Sequence, residues 1–530
     1  MNVLVALPVL IPLIGAGLAL TLAGNPRLQR LVTVIALVSV LAIAVMLLVL
    51  ANDGPVSFDI GGWAAPVGIA LVADRLSALL LVISVAVTLG VLLYSLAQGN
   101  ADGDEGAPVA IYHPTYLILS AGVSNAFLTG DLFNLYVGFE MLLVSSFVLI
   151  TLGGSRERVR AGTVYIVVSV LSSLLFLASI GLVYAATGTV NLAQLSQRMG
   201  EIDPGTQLVL QLMLIVAFGI KAAVFPLHAW LPDSYPTAPA PVTAVFAGLL
   251  TKVGVYGIIR IQTLIFPDGR IDTLLMVVAL VTMVVAILGA VAQQDIKRLL
   301  SFTLVSHIGY MVWGVAMSSQ AGLSAAIFYV VHHITVQTAL FLVAGLIERR
   351  GGTTSLSKLG SLARIAPLLA VMYFVPAMNL GGIPPFSGFL GKIGLIESGV
   401  QSGTGLDWAL IAVSLVTSLL TLYAVTKAFN QAFWQEPPKP LNGTTIPRSM
   451  MGPTAALVAL SVSFTVVAGP LYAYTDRAAR DLRAQTPYVH AVLPDGVRGA
   501  GQSSDVTEEA RQRGETDEVT DVEDTQGEVP

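Results

Sequence analysis

The chain has 530 residues, of which 55% are hydrophobic and only 11% charged, with a mean hydropathy of +0.80. A soluble domain carries about 25% charged residues, so this composition excludes a water-facing globule, and the absence of cysteine excludes disulfide frameworks, thiolate zinc sites and iron–sulfur clusters. The net charge of −5 is uneven, because residues 501–530 hold ten acids and two arginines, a net of −8, which leaves +3 on the rest.

A membrane-crossing helix needs about 20 apolar residues. Fourteen stretches qualify, near residues 3–23, 31–51, 70–97, 109–128, 131–152, 162–187, 207–230, 240–265, 272–292, 299–318, 322–347, 366–396, 407–434 and 452–474. The first lacks a basic leader and a small-residue cleavage site, so it reads as a membrane helix and not a signal peptide. Residues 476–530 are too acidic and too poor in large apolar side chains to bury a core, and are expected to form a disordered tail. Loops after odd-numbered stretches carry thirteen cations, Arg27, Arg30, Arg156, Arg158, Arg160, Lys297, Arg298, Arg349, Arg350, Lys358, Arg364, Lys439 and Arg448. Loops after even-numbered stretches hold only Arg198 and Arg270, with Arg75 and Arg260 at helix ends. Basic loops stay in the cytoplasm, so both termini are expected outside it.

Four ionisable side chains interrupt the apolar stretches. Glu140 lies half way along the fifth, Lys221 in the seventh, Lys252 in the eighth and Lys392 in the twelfth. A charge at the bilayer centre costs about 2.5–3.5 kcal/mol on the mildest scales and is functional by default. Static pairing is the plain alternative, but one glutamate cannot neutralise three lysines. An ammonium held in low dielectric without a counter-charge is poised to exchange its proton, so the four read as a proton relay.

Prolines add a second signal. Phe225-Pro226-Leu227-His228-Ala229-Trp230-Leu231-Pro232 ends the seventh stretch, and Gly381-Gly382-Ile383-Pro384-Pro385-Phe386-Ser387 interrupts the twelfth. Proline removes a backbone donor and clashes with the preceding turn, so helices 7 and 12 should break inside the membrane. Two broken helices five spans apart imply two five-helix units, residues 109–265 and 272–434. An odd number of spans per unit inverts the second on the first, the plan of many transporters. Residues 1–97 precede the units and the last helix, 452–474, follows them.

Histidine titrates near neutrality and both gives and takes a proton. His307 and the adjacent His332 and His333 fall between Lys252 and Lys392 in sequence and read as further links, with His228 a weaker candidate. His113 and His490 are assigned to loops, and Asp74 is read as a helix-end charge. No Walker loop, dinucleotide fingerprint or soluble catalytic domain occurs, so no enzyme activity, cofactor or bound metal is expected, nor any nucleic acid. The energy for transport must come from an ion gradient or a partner protein.

These residues resemble the antiporter-like family shared by Mrp-type Na⁺/H⁺ antiporters and the proton-pumping subunits of respiratory complex I. The resemblance rests on Gly130-Asp131-Leu132-Phe133-Asn134-Leu135-Tyr136, Phe139-Glu140, Lys221 with its proline motif, Pro239-Ala240-Pro241-Val242 and Lys252. It continues through Asp295-Ile296-Lys297-Arg298-Leu299-Leu300, Ser306-His307 and Gly382-Ile383-Pro384-Pro385 with Gly388, Phe389 and Lys392. Lysine at 392 and the wording around Glu140 are most similar to the D-type subunits of Mrp complexes. The resemblance implies an all-α polytopic membrane fold, a Glu140–Lys221 pair, and proton transfer on through Lys252 to Lys392, which communicates with the far side. It also implies Na⁺ and H⁺ as transported ions, partner subunits of types A, B, C, E, F and G, and a bacterial inner membrane. A redox-driven proton pump is the alternative within the same family. One departure is Gln337, where relatives often carry lysine.

Overall fold

Proline and glycine decide where the apolar helices stop. The computed structural model describes residues 2–65, 67–102 and 109–494. Helices α1 (Leu7–Thr21) and α2 (Pro26–Leu50) lead into an antiparallel hairpin, β1 (Val56–Asp59) and β2 (Ala70–Ala73), with Val56 opposite Ala73. Residues 70–73, placed in the third membrane stretch by their hydropathy, are therefore strand, and the helix begins at Arg75. Hydropathy alone cannot separate a short buried strand from the first turn of a helix.

Next come α3 (Arg75–Asp102), α4 (Val109–Leu128), α5 (Leu132–Thr151), α6 (Arg156–Thr187), the short α7 (Leu192–Arg198) and α8 (Pro204–Ala222). After α8 the chain turns at Ala223 (φ +60°), passes the cis Phe225–Pro226 bond and resumes as α9 (Trp230–Ser234). The eighth stretch is α10 (Ala240–Val245), a π turn at Phe246–Leu250, α11 (Thr251–Arg260) and a second π turn at Ile261–Ile265. Then follow α12 (Asp272–Ala292), α13 (Ile296–Ala316), α14 (Gln320–Gly351) and the single-turn α15 (Leu362–Ile365). The second broken helix is α16 (Pro367–Gly381) and α17 (Ser387–Ser402), separated by Gly382 (φ +81°) and the cis Pro384–Pro385 bond. α18 (Gly405–Phe429), α19 (Arg448–Val466), α20 (Ala468–Ala484) and α21 (Thr486–Val492) complete the fold.

All fourteen apolar stretches are helical over most of their length, and the seventh and twelfth are interrupted at their proline motifs where expected. Among the described residues, eleven helices are long and apolar enough to cross a membrane. The tail boundary needs correction, since residues 476–484 are helical in α20 and 486–492 in α21; the assignment for residues 495–530 lies outside the described residues. α20 folds because Thr475, Ala478, Ala479 and Leu482 form one buried stripe at helical spacing. His113 and His490 likewise lie in helices, α4 and α21, not in loops.

Two backbone clasps recur at a fixed offset. Leu132 N–H donates to the Val190 carbonyl and Leu192 N–H to Gly130; Ile296 N–H donates to Thr354 and Leu356 N–H to Gln294, every position 164 further on (132 to 296, 190 to 354). α6 and α14 share the offset from first residue to last, and each ends on a left-handed glycine, Gly188 and Gly352.

Burial is graded inward. The apolar window of α14 is 100% buried, and those of α13 and of the α10–α11 stretch are 94% buried, against 33% in α2 and α19. Lys252, His307, His332 and His333 all ride on these three innermost helices.

Candidate proton path

Lys221 sits in the last turn of α8, where the unpaired carbonyls of a helix C-terminus favour a cation. Its Nζ donates to the Ser169 carbonyl and to Ser173 Oγ of α6, both at 3.3 Å, and lies 5.7 Å from the centre of the Phe139 ring. The implied contact with Glu140 does not form: no described ion pair joins them, and Glu140 Oε1 is buried without a hydrogen-bond partner. The reason is local, because two acceptors on α6 already satisfy the ammonium. A cavity of about 20 Å³ is lined by Lys221, Phe139, Tyr165, Trp230 and Leu250, room for one water.

Leu250 closes the π turn that precedes Lys252. Single π turns inside helices are frequent at functional sites because they displace backbone carbonyls. Here the fully buried Lys252 Nζ donates to the Ala247 carbonyl at 2.6 Å, and no described carboxylate pairs with it. Two glycines bring the neighbouring helices in. A Cβ on Gly254 would lie 2.6 Å from Ala222 N of α8, and one on Gly248 would lie 2.2 Å from Thr338 Oγ1 of α14.

α14 carries the line onward. His333 follows, both of its ring nitrogens buried without a partner, its ring centre 5.3 Å from that of His307 on α13. His307 Nδ1 and Tyr329 Oη share a 2.5 Å hydrogen bond, their rings parallel within 2°. His332 Nδ1 is bonded to Ser387 Oγ at 3.0 Å, at the start of α17, and its ring centre is 5.3 Å from Tyr329. Tyr310 stacks on His307 (centres 5.6 Å apart) and its face meets Lys392 Nζ at 5.1 Å. Lys392 Nζ donates to the carbonyls of Leu380 and Gly381, at 3.3 and 3.2 Å, at the broken C-terminus of α16. Lys221 and Lys392 thus each occupy a helix C-terminus at a break, one on its own helix and one on the facing half.

Gln337 occupies the departure position without replacing a charge. Its Nε2 donates to the Leu300 carbonyl at 2.7 Å, and its Oε1 is buried and unpartnered. His228 is not brought into the line; it lies half-buried against Phe225, ring centres 5.7 Å apart, with Nδ1 unpartnered. Three groups escaped the sequence reading. Tyr329 and Tyr310 stand three or four residues from His332, His333 and His307, a spacing visible in sequence but indistinguishable there from apolar packing. Asp74 and Arg260, 186 positions apart, form a buried ion pair at 2.7 Å.

Five buried ring or amide atoms along this line, His307 Nε2, His332 Nε2, both nitrogens of His333 and Gln337 Oε1, have no protein partner. Buried polar atoms are rarely left unbonded, and ordered water is the usual partner. A row of such atoms between two lysines is suited to passing protons.

Residues 129–421 match the family described as NADH:quinone oxidoreductase/Mrp antiporter, transmembrane. Over 93% of this chain and the whole of the relative, the sequence is 38% identical to a protein from Alkalihalophilus pseudofirmus named as the D subunit of a Na⁺/H⁺ antiporter. The chain belongs to the NADH:quinone oxidoreductase/Mrp antiporter family. Its fold is similar to a chain of the Mrp complex from Dietzia sp. DQ12-45-1b, with TM-score 0.87, 34% identity, and coverage of 93% of this chain and 100% of that one. It is also similar to a chain of an archaeal membrane-bound sulfane sulfur reductase, with TM-score 0.84, 26% identity and the same coverage. The family region contains every member of the line from Glu140 to Lys392; Asp74 lies outside it.

Proposed function

We propose that this chain is the proton-translocating subunit of a multi-subunit Na⁺/H⁺ antiporter of the bacterial cell membrane. Protons pass from Glu140 and Lys221 to Lys252, across His333, His307 and Tyr329, with His332 alongside, and reach Lys392. The observation that carries this reading is two buried lysines, Lys252 and Lys392, and the part-buried Lys221, none paired with a carboxylate among the described ion pairs, with imidazoles and phenols on the innermost helices between Lys252 and Lys392. Such groups are costly in a membrane, and those that are kept there line ion or proton pathways. Protonation of one lysine raises the cost of protonating the next, so protons advance as neighbouring charges rearrange.

Fourteen spans suit the fold, counting the eleven long helices with α1, α4 and the α16–α17 pair. Two five-helix units, 109–265 and 272–434, are supported by the repeated clasps. With helices crossing in alternation, one clasp falls on each face of the membrane, as inverted units require. The loop charges put the basic loops in the cytoplasm and both termini outside. No group of three His, Asp or Glu side chains among the described residues is disposed to hold a metal ion, which favours a Na⁺ route in a partner protein of the complex. The relatives named as D subunits and the Mrp complex fold neighbour support membrane subunits of that complex as partners.

The sulfane sulfur reductase neighbour favours a second reading, a proton pump driven by electron transfer in other chains. Everted vesicles from an antiporter-deficient host, bearing the complete gene cluster, decide between them. Antiport predicts that a Na⁺ pulse collapses a preformed pH gradient, while an equal choline pulse does not. Vesicles indifferent to Na⁺ would refute antiport in favour of the redox-driven pump.

A further inference from the structure

Lys252 is flanked very differently along its own helix. Toward the basic-loop side, the chain before α10 borders a cavity of about 280 Å³ whose wall includes Arg158, Pro239, Lys297 and Glu348, the last two ion-paired at 2.6 Å. On the other side lies Arg260, eight residues on and about 12 Å along the axis, with Tyr256 between them on the same face. Arg260 Nε donates to Tyr256 Oη at 2.9 Å, and Tyr256 Oη donates to the Phe127 carbonyl at 2.8 Å. Arg260 Nη2 donates to Asp74 Oδ1 at 2.7 Å, and Asp74 is itself held by the N–H and hydroxyl of Ser77.

The guanidinium lies 5.2 Å from the Tyr256 ring centre and 5.1 Å from that of Tyr488 on α21. α21 is strapped in place, with Gln485 Nε2 donating to the Thr263 carbonyl at 2.8 Å, Ser57 Oγ donating to the Ala491 carbonyl at 2.5 Å, and Arg75 of α3 paired with Asp481 of α20. Arg260 is 2% exposed.

We propose that Arg260, locked between Asp74, Tyr256 and Tyr488, is a fixed cationic seal that stops protons on Lys252 from escaping directly to the tail side. This rests on the relay reading above, and it assigns Arg260 a specificity role outside the relay. Arginine suits it because a guanidinium keeps its proton at any physiological pH. It therefore cannot act as a carrier, and because Asp74 holds Nη2 while Nε faces Tyr256, an excess proton in the polar column meets the cationic end of the pair. Arginines exclude protons and cations from other membrane pores by the same field. Asp74 lowers the cost of burying that charge, and the C-terminal helices cover the pair from water. A proton reaching Lys252 is then left with the lateral route to His333.

The test is passive proton conductance of vesicles carrying the complete complex, measured without Na⁺, with co-purification of partner subunits as the check on assembly. Asp74→Asn with Arg260→Gln removes both charges and keeps a polar side chain at each position. The seal predicts a Na⁺-independent leak up to about tenfold above wild type, the effect of one charge at about 12 Å, abolished when Lys252→Met is added. Arg260→Lys supplies a milder variant, since it preserves a cation opposite Asp74 but one that can release its proton. The seal predicts a leak there too, whereas a purely structural pair predicts none. Assembled variants with wild-type conductance overturn the proposal, and if the double variant does not assemble, Arg260→Lys decides. Absence of Na⁺-linked exchange in wild type would refute the antiport reading and leave the leak measurement intact.

Discussion

Lys252→Met is expected to abolish Na⁺-linked proton movement, by about 100-fold or more, while leaving the complex assembled. Removing a positioned proton-transfer group costs typically 100- to 10,000-fold, and Lys252 has no described titratable neighbour within hydrogen-bond reach to take its place. Stability should move the other way. The ammonium is fully buried, its one described hydrogen bond goes to the Ala247 carbonyl, and no described carboxylate balances it. An unpaired charge at membrane depth costs about 2.5–3.5 kcal/mol on the mildest scale, against about 1 kcal/mol for the lost hydrogen bond. Methionine preserves most of the side-chain volume, so the cavity penalty of a change to alanine, about 2–5 kcal/mol for large apolar residues, is avoided. Exchange in vesicles, read beside co-purification of the partner subunits, checks both halves of the expectation. Lost assembly with residual exchange per assembled complex would mean that Lys252 is structural.

Lys392→Met should also lose transport by about 100-fold, but with a different stability signature. Lys392 Nζ satisfies two carbonyls, Leu380 and Gly381, at the buried C-terminus of a broken helix. Those acceptors have no helical partner of their own, and a cation there gains from the helix dipole. Methionine forfeits both bonds, so assembled complex should unfold at a lower temperature than wild type, where Lys252→Met should not. Thermal unfolding of the purified complexes, compared pairwise, reads this. Equal stability of the two variants would contradict the assignment of Lys392 as a cap on the break.

Much of this arrangement was legible in the chain. The apolar stretches located the helices because hydropathy is a long-window property, and proline placed both breaks because its missing donor acts locally. The lysines stood out because charge is so rarely tolerated at that depth. What the chain hid was pairing between distant residues. Nothing in sequence distinguishes Glu140 resting near Lys221 from Glu140 bonded to it, since the outcome turns on Ser169 and Ser173, 52 and 48 positions from Lys221. Asp74 and Arg260 each read as a helix-end charge and became a buried pair only when the end of α11 met the turn between β2 and α3. The end of α20 and the whole of α21 were mistaken for part of the tail because their buried positions, Thr475, Ala478, Ala479 and Leu482 in the one and Tyr488 and Val492 in the other, are few and scattered among polar residues. The 164-residue offset was present all along in two helix-capping aspartates, Asp131 and Asp295, but side chains that differ at most other positions mask it.

The central claim is that one buried line joins the two halves, and His307 is its narrowest joint: bonded to Tyr329, stacked on Tyr310 and facing His333. The most direct measurement is Na⁺-driven proton movement in vesicles carrying His307→Phe, with assembly verified on the same preparation. Phenylalanine keeps a ring in that space and removes both nitrogens. A continuous relay predicts exchange reduced by about 100-fold in fully assembled complex. Exchange at the wild-type rate would contradict the relay and separate the Lys221–Lys252 half from Lys392.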